Sequence, residues 1–424
     1  ALDVSLSKGH RRCVIQAWLR VQAFSGLTFC THVIPFLKAT SHASRGFMAG
    51  ARVGAVRAAC FLLLLATAEG FKANEFKKCA DASFCSRNRG RAGDVYSIKP
   101  GSAVLSGATL AATVVNEEAE PAVELTLTLS LYDGFLRLQV DEAQPVGRYM
   151  VADVLAEGFL GMQGAQSVRM EEGKDGLTVS AGGVRVVLKY WPMQVDVFRG
   201  DTHAISFNSR QMFAFEHARQ KQEGDPAGWW EEKFRSHSDS KPNGPEAIAM
   251  DLSFPGFNHV YGIPERATSL SLQQTAGSEP YRLYNLDVFE YLHESPFGLY
   301  GSIPMMLAHK AGLTVGAFWL NSAEMFVDVR KSGGATETQW IVESGVLDLF
   351  LFLGPSPSAV VKQYASVTGT TAMPQLFALG YHQCRWNYND EADVAAVDAG
   401  FDSHVMPYDV LWLDIEHTVG KRYM

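Results

Sequence analysis

A chain of 424 residues, 47% hydrophobic and 19% charged, has room for two or three domains with full cores. That composition excludes both an extended disordered protein and a multi-span membrane protein. The formal net charge of −8 gives no reason to expect a nucleic-acid partner.

Charge is unevenly spread along the chain. Before residue 69 stand Lys8, Arg11, Arg12, Arg20, Lys38, Arg45, Arg52 and Arg57 against the single acid Asp3, so the remainder is acidic. This basic stretch runs into "MAGARVGAVRAACFLLLLATAEG", which starts at Met48. Arg52 and Arg57 form a short basic region, Ala58 to Leu65 a compact apolar run, and Ala66-Thr67-Ala68 a small-x-small cleavage site. The order is that of a secretory signal peptide over residues 48–68, and the apolar run is too short to span a bilayer. A buried core helix is the rival interpretation. Residues 1–47 lie upstream of Met48 and read as non-native upstream translation, outside the fold.

Residues 69–93 carry Cys79 and Cys85 close together, with Cys384 alone far downstream. In an oxidising compartment the close pair predicts a small-loop disulfide, and a zinc site would need further ligands nearby. From residue 94 to 365 the pattern is alternation. "VELTLTLSLYDGFLRLQV" puts Val123, Leu125, Leu127, Leu129 and Leu131 on one face, then turns at Asp133-Gly134. Many short runs of this kind, separated by Gly, Pro, Ser and Asn, predict a β-sandwich. One polar stretch near 216–245 is expected to be an exposed insertion. Its Trp229 and Trp230 mark either a partner contact or local packing of the loop.

After Leu353 the rhythm changes. "SPSAVVKQYASVTG" reads as a helix, "LFALGYHQ" as a strand, "DEADVAAVDAGFDSH" as a helix with Val394, Val397 and Phe401 on one stripe, and "DVLWLDIE" as a strand. Strand, helix, strand is one βαβ unit with parallel strands. Residues 366–424 are therefore read as the start of a (β/α)₈ barrel, which takes roughly 250 residues when complete, so the barrel is expected to be incomplete here.

In "VLWLDIE" a continued pleat would send Val410, Trp412, Asp414 and Glu416 to one face. The preceding strand offers His382, Arg385, Trp386, Asn387 and Tyr388 at the same rim. Indole faces beside carboxylates suit sugars, covering C–H groups while accepting bonds from hydroxyls. In the bland alternative, Asp414 caps the next segment and Trp386 fills the barrel top. Asp414 and Glu416 do not make a glycosidase pair: positions i and i+2 of one strand share a direction, whereas a retaining pair flanks the scissile bond.

The runs "VYGIPERA", "YRLYNLDVFEY", "LYGSIPMMLAHK", "VGAFWLNSAE", "LGYHQCRWNYNDEADVAAVDAGFD" and "DVLWLDIEHTVGKRY" resemble glycoside hydrolase family 31, nearest its neutral α-glucosidases. The resemblance implies a galactose mutarotase-like sandwich ahead of a (β/α)₈ barrel, and a retaining mechanism. It places hydroxyl binding on Asp414, a pocket wall on Trp386, and a sugar contact from a sandwich loop on Asp287, with Ile415 and Trp412 as further wall residues. The nucleophile of this family lies in a "WNDMNEP"-like segment that this sequence does not contain, so no catalytic residue is assigned and the chain alone is expected to be inactive. The final "KRYM" also departs from the family's "KRYFTWD". Further implied are α-glucoside or N-glycan substrates with α-1,3-linked glucose, a β-subunit partner, an endoplasmic-reticulum lumenal location, no membrane span and no metal cofactor. Alternatives are a neutral α-glucosidase acting on glycogen-derived α-glucans, or a non-catalytic glucan-binding isoform.

Overall fold

Alternating side chains bury one face of each strand, and the strands here assemble into two large antiparallel sheets. The computed structural model describes residues 73–424 except 94, 117, 118, 120, 121, 227, 288–290, 292 and 424. The signal peptide expected at 48–68 and the stretch 1–47 lie outside the described residues. One sheet runs in the order Tyr96–Ile98, Thr109–Asn116, Val123–Tyr132, Phe135–Glu142, Leu347–Phe352, Leu313–Trp319, Met305–Lys310 and Val260–Gly262. The other runs Tyr281–Leu283, Met325–Ser332, Ala335–Val342, Ile248–Pro255, Thr202–Phe207, Gln194–Arg199, Val184–Lys189, Gly176–Ala181 and Arg169–Glu172. A single core draws on both, so the architecture is a sandwich.

The predicted hairpin forms as expected. Leu125, Leu127, Leu129 and Leu131 are all buried, and Tyr132 lies opposite Phe135 across a two-residue turn. Gly134 takes φ +81°, the left-handed conformation that the second turn position requires. Closure is long-range: Phe135 pairs with Phe352. Trp319 and Trp340 are fully buried, their indole N–H groups donating to the Val346 carbonyl at 3.0 Å and to Thr338 Oγ1 at 2.9 Å.

Buried charge fastens the irregular segments to this sandwich. The Arg148 guanidinium forks onto Glu142, at 2.9 Å to both oxygens from Nε, and also donates to the carbonyls of Glu246 at 2.8 Å and of Glu216. Lys77 Nζ bridges Glu232 at 2.6 Å and Glu324 at 2.9 Å, and Arg282 meets Glu324 at 2.6 Å. Beside Lys77 the sulfurs of Cys79 and Cys85 are bonded, with Cα atoms 5.2 Å apart. The stretch near 216–245 is mostly exposed, as its polarity suggested. It forms a hairpin, Glu231–Phe234 with His237–Ser240, and buries Glu232. The guanidiniums of Arg87 and Arg219 stand 5.4 and 4.9 Å from the centre of the Trp229 ring, and Trp230 Nε1 donates to Asp225 at 2.9 Å.

The helix Pro357–Thr368 is capped by Ser356, whose hydroxyl accepts from the Ala359 amide at 3.1 Å, and it buries Val360 and Val367 with Phe318, Phe350 and Phe352. Beyond it the sequence prediction needs correction. "LFALGYHQ" is not one strand: Leu376–Leu379 is a 3₁₀ turn and only His382–Gln383 is extended. The helix Glu391–Ser403 forms, capped by Asp390, but Val394, Val397 and Phe401 are only half-buried. The next strand is Val410–Leu411 alone, pairing parallel to His382–Gln383. Among the described residues of 371–423, only Tyr388 is buried.

Candidate functional site

The two parallel strands end side by side, and each hands the chain to a polar turn. After Leu411 the expected pleat stops. Asp414 caps a 3₁₀ turn, Ile415–His417, with Oδ1 accepting from the Ile415 amide at 2.6 Å. Its carbonyl accepts from the His417 amide at 3.0 Å and ring Nδ1 at 2.8 Å. Trp412, Asp414 and Glu416 therefore do not share one strand face. Local side-chain-to-backbone bonds have replaced the ladder. This is the capping role weighed for Asp414 from the sequence, and the carboxylate is nonetheless exposed.

Around this turn two clusters form. Glu416 Oε1 accepts from Asn387 Nδ2 at 2.8 Å, and Lys421 Nζ lies 3.7 Å from the same oxygen. Lys421 Nζ also stands over the Trp386 ring, 5.9 Å from its centre. Desolvation would raise the Glu416 carboxyl, but its own amide, Asn387, Lys421 and the neighbouring Trp386 outweigh that and hold it below its ordinary value. In the second cluster Trp412 Nε1 donates to His382 Nδ1 at 3.0 Å, the two rings meeting edge to face with centres 5.6 Å apart. His382 Nε2 contacts the Ala378 carbonyl at 3.1 Å, so the proton sits on Nε2.

Trp386 and Trp412 are 63% and 51% exposed, Asp414 is exposed, and Ile415 is half-buried. Together they make an open surface of aromatic faces and a carboxylate at the ends of parallel strands, chemistry that can cover and hydrogen-bond a polyol. Tyr388, expected at this rim, is buried instead, its hydroxyl accepting from Gln383 at 2.9 Å.

Asp287 stands elsewhere. It is exposed on the loop after Tyr281–Leu283 and accepts from the Tyr300 hydroxyl at 2.8 Å, a bond that pushes Tyr300 up. Among the described residues no hydrogen bond or ion pair joins Asp287 to Trp386 or Asp414. Sequence reasoning did not single out Tyr300 or Lys421. Tyr300 lies 13 residues after Asp287 in chain order, the one signal that could have paired them. Among the described residues no cluster of His, Cys, Asp and Glu has the arrangement to hold a metal, and no helix is long and apolar enough to cross a membrane.

Residues 127–328 match the glycosyl hydrolase 31 N-terminal galactose mutarotase-like domain, and residues 371–424 match the glycosyl hydrolases family 31 TIM-barrel domain. The chain is 46% identical over 395 residues to a probable glucan 1,3-alpha-glucosidase of Arabidopsis thaliana, covering 84% of this chain and 43% of that protein. It is 40% identical over 412 residues to neutral alpha-glucosidase AB of Homo sapiens, covering 82% and 43%. A crystal structure of an ER glucosidase II heterodimeric complex, consisting of catalytic subunit and the binding domain of regulatory subunit, superposes with a TM-score of 0.73 at 39% identity, covering 82% of this chain and 43% of that one. The chain thus spans less than half the length of these relatives.

Proposed function

The chain belongs to glycoside hydrolase family 31, and on that premise we propose that it supplies the sandwich and the opening βαβ unit of a barrel in an α-glucosidase. The proposed substrate is terminal α-1,3-linked glucose on N-glycans, cleaved with retention in the endoplasmic-reticulum lumen, with the glucosidase II β-subunit as partner. The names of the glucan 1,3-alpha-glucosidase and glucosidase II relatives support this substrate and this partner.

The observation that carries the reading is the pairing at the strand ends: Trp386 and Trp412 flank the turn that presents Asp414. In the proposed role Asp414 accepts bonds from glucose hydroxyls, Trp386, Trp412 and Ile415 line the pocket, and Asp287 adds a contact from the sandwich loop. None of them attacks carbon. The residues present bind and orient, and well-oriented binding is the part of catalysis that positioning residues supply.

Titrating the chain with an α-1,3-linked diglucoside, followed by tryptophan fluorescence, tests the proposal. Saturable binding that weakens severalfold in Asp414→Asn is expected, with no turnover of a chromogenic α-glucoside. Indifference to the α-1,3 sugar, or equal preference for an α-1,4-linked diglucoside, would reject the substrate assignment.

A further inference from the structure

We infer that Glu416 is a positioning residue, a brace that ties the loop after the first parallel strand to the turn after the second and thereby sets the orientation of Trp386. This rests on Trp386 being a sugar-facing residue, as proposed above. At 63% exposure the Trp386 ring has little packing to fix its two side-chain torsions, so its orientation must come from polar neighbours. Those neighbours converge on one carboxylate. Asn387, adjacent in the chain, donates to Glu416 at 2.8 Å, and Lys421, 3.7 Å from the same oxygen, stands over the ring. The Glu416 side chain is 12% exposed amid this otherwise open surface, so its bond from Asn387 is partly shielded from water, whereas Lys421, 56% exposed, is held by a solvent-screened attraction.

A geometric consequence follows. An indole has two faces, and an ammonium held over one by Glu416 leaves the opposite face for a sugar ring. Removing the carboxylate releases Asn387 and Lys421 together, freeing the ring and uncovering the wrong face. Trp412 depends instead on His382 and would stay in place.

The test uses the 424-residue chain labelled with 5-fluorotryptophan and read by ¹⁹F NMR, with Trp386 assigned through Trp386→Phe. Glu416→Ala should move the Trp386 resonance toward that of the free amino acid while those of Trp412, Trp319 and Trp340 hold, the last two reporting that the sandwich is folded. Glu416→Gln, which keeps an acceptor for Asn387, should restore most of the signal. An unmoved Trp386 resonance in Glu416→Ala overturns the brace, and so does movement of all four resonances together. Titration with the α-1,3-linked diglucoside separates the two proposals. Loss of about tenfold in affinity in Glu416→Ala supports both. A wild-type chain that ignores the sugar rejects the function above, and the brace then stands or falls on the resonance alone.

Discussion

The sandwich and the strand–helix–strand stretch after it are built from similar apolar runs, yet one has a dense interior and the other almost none. Between Tyr96 and Leu353 apolar strand residues face a second sheet. Between 371 and 423, Leu376, Leu379, Val405, Trp412 and Val419 remain exposed, and the hydrogen bonds among the described residues stay within the stretch. The lesson is that a strand pattern becomes a fold only when a partner surface lies within reach. Where it does, packing sets geometry; where it does not, a handful of polar bonds must.

If that contrast is right, breaking a buried polar clamp of the sandwich should cost most. Arg148→Met strands Glu142 among buried groups and removes the donors to the Glu216 and Glu246 carbonyls. A loss of about 3–5 kcal/mol is expected in denaturant unfolding. Replacing Cys79 and Cys85 by Ser opens a short loop packed against Ala249, Phe326 and Ile341 of the sandwich. Calorimetry should register a smaller cost of roughly 2 kcal/mol.

Titration sharpens the comparison further. Burial raises the Glu343 carboxyl from 4.5 to about 7, with Glu232 and Glu324 adding to the rise and Lys241 and Lys77 opposing it. Because the folded value is the higher, this group's stabilising contribution is complete below about pH 4.5 and is lost as pH climbs through about 7. Glu343→Gln should therefore be more stable than wild type at pH 8, by an amount on the order of 2–3 kcal/mol that falls to roughly a quarter by pH 5 and disappears below about pH 4. Melting curves of both proteins across that range would detect it. The smallest effect belongs to the other region: deleting residues 371–424 should leave the unfolding free energy of the sandwich unchanged to within about 0.5 kcal/mol. A larger drop would mean that the stretch contributes to the interior after all.

The same contrast explains what could be seen in the sequence. Leu125 to Leu131 alternate because one face is dry, so their strand and its Asp133-Gly134 turn were legible. "LFALGYHQ" carried an equally apolar run, but among the described residues Leu376 and Leu379 are exposed and Leu376–Leu379 is a 3₁₀ turn. At "DVLWLDIEH" the alternation persisted in the letters while Asp414 bonded the next amide and ended the strand. Arg148 and Lys77 were invisible for another reason: Lys77 and Glu324 are 247 residues apart, a separation no local pattern encodes.

The pairing of Phe135 with Phe352 also has a bearing on biosynthesis. At about 5–20 residues per second, the strand that begins at Phe135 leaves the ribosome roughly ten to forty seconds before its neighbour is made. For that interval Leu136, Leu138 and Val140 have an unclaimed edge beside them, a template on which another chain could pair until Leu347–Phe352 arrives.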